Sequence, residues 1–244
     1  MRQTIFKNTV LYLGIAFYSL STFAIMPALA GLKSEERGEF PGERVGGGTR
    51  SSSVCARRSR QLVGLSPKNN LGISSREQPS IYVAVPELDR AYPAEFLLID
   101  KEGNEIYKQN LEIGRIQRFV GVRLPENILN IGQDYEWYFD VFCFEDNIGE
   151  AIGVNGTLRQ VSQKESDERQ ANLAETLALV QSYQAAGLWN DAIATAFELR
   201  QNYPESELAF AQWRQVLLAL DFSAYDGLFE MLLAIPVSQL QVSE

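Results

Sequence analysis

At 244 residues, with 22 basic against 31 acidic side chains, a formal net charge of −9 and no histidine, this chain excludes much before any motif is read. The acidic balance argues against generic nucleic-acid binding, which needs cations to displace counterions from phosphates. Without histidine there is no Ser-His-Asp triad, Cys-His dyad, His-ligated zinc or imidazole pH switch, and the two cysteines cannot alone hold a structural zinc.

Arg2 and Lys7 precede an uncharged run from Asn8 to Ala30. The run ends Pro27-Ala28-Leu29-Ala30, the A-x-A pattern of a signal-peptidase site. Residues 1–30 are therefore read as a signal peptide cut between Ala30 and Gly31. The expected product is exported, periplasmic or extracellular, with no integral membrane segment. The rival reading is an uncleaved anchor, since the apolar run is about long enough to span a bilayer.

Residues 31–60 form a Gly- and Arg-rich arm. Arg44, Gly46, Gly47, Gly48, Arg50 and Arg57 are a candidate anion-binding set, with glycine N–H groups and guanidiniums gripping a phosphate or acidic polymer. The spacing does not match a nucleotide P-loop. The plainer reading is a solvated arm whose arginines offset an acidic surface.

Residues 61–162 carry strand signals at short spacing: 61–65, 80–85, 94–100, 105–111, 117–124, 134–144 and 152–161. Tyr135 to Cys143 alternates most clearly, with Tyr135, Trp137, Phe139, Val141 and Cys143 on one face. Seven such segments predict an immunoglobulin- or fibronectin-like antiparallel β-sandwich. Leu129-x-x-Gly132-x-x-Tyr135-x-Trp137 has the form of a tyrosine corner, which assigns Tyr135 and Trp137 to structure. In an exported protein the two cysteines, Cys55 and Cys143, predict a disulfide. Such a bridge would pin the arm to the sandwich and contribute about 4 to 5 kcal/mol. Asp140, Glu145, Asp146 and Glu150 cluster at and after the long strand. A glycosidase needs two carboxyls flanking a cleft, but loop acids are usually solvated. Asn155-Gly156-Thr157 matches a glycosylation sequon and reads as a turn.

Several of these features occur together in one family. The opening PGERVGGGTR, the cysteine soon after it, Leu62…Leu65-x-Pro67, Gly72 and the Leu124-Pro125…Gly132-x-x-Tyr135-x-Trp137…Cys143 block resemble an uncharacterised family of exported cyanobacterial proteins. The resemblance covers roughly residues 41–220. It implies export, an envelope context and a β domain followed by helices, and it brings no catalytic residues. The family's aromatic pair after the proline at 79 is replaced here by Ser80-Ile81-Tyr82.

From Gln163 the period changes to about 3.6. Leu173, Leu177, Val180, Tyr183 and Gln184 share one helical face, with Ser166 as N-cap and Gly187 as stop. Further helices are predicted over 189–202, 205–220 and 225–234. Tyr183, Gly187, Ala192 and Pro204 fall at tetratricopeptide offsets. The expected fold is α+β: the sandwich, then a small tetratricopeptide-like helical domain over 163–236 and a tail over 237–244. The expected function is that of a non-enzymatic interaction or scaffold protein of the cell envelope. It would use no cofactor and engage another envelope protein through the helical domain. The alternative is a carbohydrate- or anionic-polymer-binding module, or a carbohydrate-active enzyme.

Overall fold

A computed structural model describes residues 42–46, 61–116, 118–143, 151–162, 172–237 and 241–243. The expectations placed on Ala30, Gly31, Gly47, Gly48, Arg50, Cys55, Arg57, Glu145, Asp146, Glu150 and Ser166 lie outside the described residues. The strands are β1 (Val45–Gly46), β2 (Leu62–Gly64), β3 (Leu71–Ser74), β4 (Ser80–Val85), β5 (Tyr92–Ile99), β6 (Glu105–Ile113), β7 (Arg118–Arg123), β8 (Asp134–Phe142), β9 (Ala151–Gln160) and β10 (Gln241–Ser243). The helices are α1 (Leu173–Ala186), α2 (Trp189–Asn202), α3 (Glu207–Ala219) and α4 (Leu228–Ala234).

All seven strands read from the sequence are present. They fall into two five-stranded sheets, β1-β2-β4-β7-β10 and β3-β9-β8-β5-β6. Both sheets are mixed, which corrects the expectation of a purely antiparallel sandwich. The parallel pairings are β3 with β9 and β10 with β7, and both involve a strand the sequence did not announce. Asn155-Gly156-Thr157 lies inside β9 rather than at a turn.

The sheets bury facing sides against one another. Ile81, Val83, Val85, Val120 and Val122 from the first meet Phe96, Leu98, Trp137, Phe139 and Val141 from the second. The Trp137 indole fits between the layers because both sheets place a glycine against it. A Cβ at Gly64 would sit 2.7 Å from the ring, and one at Gly156 2.8 Å, closer than carbon atoms pack. The tyrosine corner forms as expected. Tyr135 is buried, and its hydroxyl accepts the Asn130 N–H at 2.9 Å.

The other face of the first sheet carries the helices. Tyr82 and Phe119 meet Phe197 of α2, with ring centroids 4.6 and 5.0 Å apart, and Trp213 of α3 closes the group 4.7 Å from Phe197. The order is thus helices, first sheet, second sheet. This is why β4 is buried at all six positions although its sequence alternates, whereas β8 is buried only at every second one.

The helix boundaries follow local chemistry. α1 starts at Asn172, which forms a capping box with Glu175, and ends at Gly187 in the left-handed conformation. α2 is buried continuously from Asn190 to Phe197, because strands lie on one side of it and α1 and α3 on the others. Its buried polar residues form a seam with the β3–β4 connection. Asp191 accepts from Ser74 Oγ, and from Ser75 N and Oγ at 2.7 Å each. Arg76 donates to Glu198 and to Thr195 Oγ1 at 2.8 Å each. Asn190 donates to Ser80 O at 2.9 Å.

Cys143 is disulfide-bonded rather than a free thiol, and Cys55, the chain's other cysteine and its expected partner, lies outside the described residues. Cys143 is buried in the inter-sheet core at the end of β8, with Sγ 3.8 Å from Val141 O. The described part of the arm is held by non-covalent contacts. β1 pairs with β2, and Asn155 N–H donates to Glu43 O at 3.0 Å. Arg44 donates to Ser66 O at 3.0 Å, to Leu220 O at 2.6 Å and to Asp221 O.

Candidate functional site

Of the residues expected to grip an anion, Arg44 and Gly46 are described, and both are turned to the interior. Arg44 is buried, its guanidinium spent on carbonyls at the C-terminal end of α3 and stacked 4.5 Å from the Phe222 ring centroid. That is where helix carbonyls lack internal partners and favour a cation. Gly46 is buried too, with its Cα side against Gly153 O.

Of the acidic cluster, Asp140 is described. It lies on the outward face of the second sheet, directly across from Glu95. Burial, and then the Glu95 charge, push its carboxyl above the ordinary carboxylate range. Glu95 is itself ion-paired with Lys108 at 2.7 Å. Among the described residues no group of three or more Cys, Asp or Glu is arranged to hold a metal ion. The raised pKa has a consequence for stability. As pH rises from the unfolded value through the folded one, the folded state keeps a proton that the unfolded chain has lost, so stability falls. Asp140→Asn is therefore expected to raise the melting temperature at pH 7 and leave it nearly unchanged near pH 3. An equal shift at both would show that the charge is not the cause.

A concave feature of the helical portion lies between α1 and α3. Gln181 and Gln184 line it from α1, and Gln212, Gln215, Leu218 and Ala219 from α3. It is an open groove of about 480 Å³. Gln181 Nε2 donates to Gln212 Oε1 at 3.3 Å, and Gln212 Nε2 donates to Gln184 Oε1 at 3.0 Å. Gln212 is buried, so both its amide groups are committed to this relay. Of the lining, Leu218 is an apolar side chain that stays 44% exposed. The walls carry no charge. No Asp, Glu, Lys or Arg occurs from Thr176 to Asn190, and in α3 beyond Glu207 the only charged side chain is Arg214, which stacks 5.6 Å from the Phe229 ring centroid.

A family model described as Domain of Unknown Function (DUF928) matches residues 45–226. The chain belongs to the DUF928 family. The DUF928 region runs from β1 through α3 and therefore includes the second sheet, the first sheet apart from β10, the seam and every residue lining the groove. β10 and α4 lie beyond it. No curated protein matches the chain. None of the helices described is long and apolar enough to cross a membrane.

The groove was missed in the sequence, yet it had a signal. Gln181-x-x-Gln184 and Gln212-x-x-Gln215 each set two amides on one helix face. The helical spacing instead sets Gln184 in one stripe with Leu173, Leu177, Val180 and Tyr183. Of that stripe only Val180 is buried.

Proposed function

We propose that this DUF928 protein is an exported, non-enzymatic interaction protein of the cell envelope, with the groove between α1 and α3 as its contact surface. The observation that carries this reading is an uncharged, amide-lined groove on helices that are anchored to a rigid double sheet. A surface built this way offers hydrogen bonds and apolar contacts but no general acid, base or nucleophile aimed into it. The two-sheet arrangement, akin to immunoglobulin-like sandwiches, and the tetratricopeptide-like spacing of the α1–α2 hairpin support the same reading. Fold likeness alone does not assign a role. Arg44 is committed to the interior, which weakens the rival reading of an anionic-polymer grip.

The test is photo-crosslinking in envelope extracts with a benzophenone side chain at Gln215, at low salt and at about 1 M salt, where charges are screened beyond about 3 Å. A specific crosslink that survives high salt and is lost in Leu218→Asp is expected. A crosslink abolished by salt, or indifferent to Leu218→Asp, would count against the groove.

A further inference from the structure

The glutamine relay has two open ends. Gln181 donates to Gln212, which donates to Gln184. This leaves Gln181 Oε1 as an acceptor and Gln184 Nε2 as a donor, neither with a side-chain or backbone partner among the described residues. Turning all three amides over reverses the relay and still leaves one donor and one acceptor. Buried Gln212 holds the pair in place. Gln181 and Gln184 are three residues apart on one helix, a spacing that sets side chains about 5 to 6 Å apart at Cβ.

An extended polypeptide presents the N–H and C=O of one residue along the same edge, as in a hydrogen-bonded strand pair. A fixed acceptor and donor at neighbouring positions complement that edge without reading side chains. The walls then decide which side chains are tolerated. With no counter-charge in the groove, an Asp, Glu, Lys or Arg facing it would be desolvated without a partner. Ala219 and Leu218 instead offer contact to small or apolar groups. A saccharide is favoured by aromatic platforms, and no aromatic ring lines this groove.

We propose that the groove takes an uncharged polypeptide segment in extended conformation, recognised through its backbone amides. This rests on the reading of the groove as the contact surface and specifies what occupies it.

The experiment is fluorescence polarisation with the full chain and a labelled peptide of alternating Thr and Val. Further arms use the same peptide N-methylated at alternate residues, a version with Glu and Lys in place of Thr, and a chitin oligosaccharide as competitor. Binding of the parent peptide is expected. N-methylation, which removes the N–H that Gln181 would accept, should weaken it about five-fold, and Gln181→Ala/Gln184→Ala about thirty-fold, the equivalents of one and two ordinary hydrogen bonds. Gln184→Glu, which keeps the shape and removes one donor, should weaken it about five-fold. Thermal melts should show the variants folded, since Gln181 is exposed and Gln184 half-buried. Absence of binding by the unaltered protein, indifference to N-methylation, preference for the charged peptide or displacement by the saccharide would each overturn the proposal. If the Gln215 crosslink still depends on Leu218 in that event, the contact surface stands and only its occupant is wrong. If that crosslink is also missing, both readings fall.

Discussion

Asp191→Ala is expected to lower folding stability by about 3 to 5 kcal/mol, the non-additive loss of three hydrogen bonds to one carboxylate at about 1.5 to 3 kcal/mol each. Asp191 is fully buried at the start of α2 and accepts from Ser74 Oγ, Ser75 N and Ser75 Oγ. Its position in the first helical turn also sets the carboxylate against the positive end of the helix. Alanine would leave the Ser75 N–H and two hydroxyls without their acceptor where water has little access. Domains are usually stable by only about 5 to 15 kcal/mol, so this variant should be near the limit of folding. Asp191→Asn should fall in between, because one amide N–H would then face another donor. Urea unfolding followed by fluorescence reads the effect, since Trp137 lies in the inter-sheet core and Trp213 under the helices. A loss below about 1 kcal/mol, the value of an ordinary hydrogen bond, would show that the seam does not hold α2 to the sheets.

The second large effect is expected at Arg44. Arg44→Met keeps much of the bulk over Phe222 and removes every donor, leaving the carbonyls of Ser66, Leu220 and Asp221 without it. Charge-assisted hydrogen bonds contribute about 1.5 to 3 kcal/mol each and are not additive, so a loss of about 3 kcal/mol is expected. Arg44→Lys should recover little, because an ammonium cannot span the carbonyls as a planar fork does. The loss should also be local. The Gly64 N–H donates to Arg44 O and the Asn155 N–H to Glu43 O. Both amides should exchange with solvent faster than the middle of β8 does. Unchanged protection at Gly64 and Asn155, alongside a global loss, would refute the view that Arg44 fastens the arm.

The sequence was most readable where one physical signal acted alone. β8 shows strict alternation because one of its faces meets the core and the other meets solvent or neighbouring side chains. α2 was placed correctly over 189–202 by Gly187 before it and Pro204 after it. Its full burial was not readable, because Asn190, Asp191 and Thr195 look like a solvated face until Ser74, Ser75 and Arg76 are brought against them. The same limit applied to Arg44, whose carbonyl partners at Leu220 and Asp221 are distant in sequence. β3 and β10 have four and three residues, too few to display a period, and each exists by pairing with a longer strand. The groove escaped because glutamine is polar enough to pass for surface and long enough to pass for part of a helical stripe. Its relay depends on α1 and α3 lying side by side.

The placement of β4, with helices over one face and the second sheet over the other, also bears on how such a chain can diverge. Each of its six residues is enclosed, so none can wander in size or polarity without disturbing a neighbouring layer. β8, by contrast, can drift at every other position. Neutral change should therefore collect on the outer side of the second sheet and on the exposed sides of α1 and α3 away from the groove. The enclosed strand should be the part of the molecule that preserves common ancestry longest.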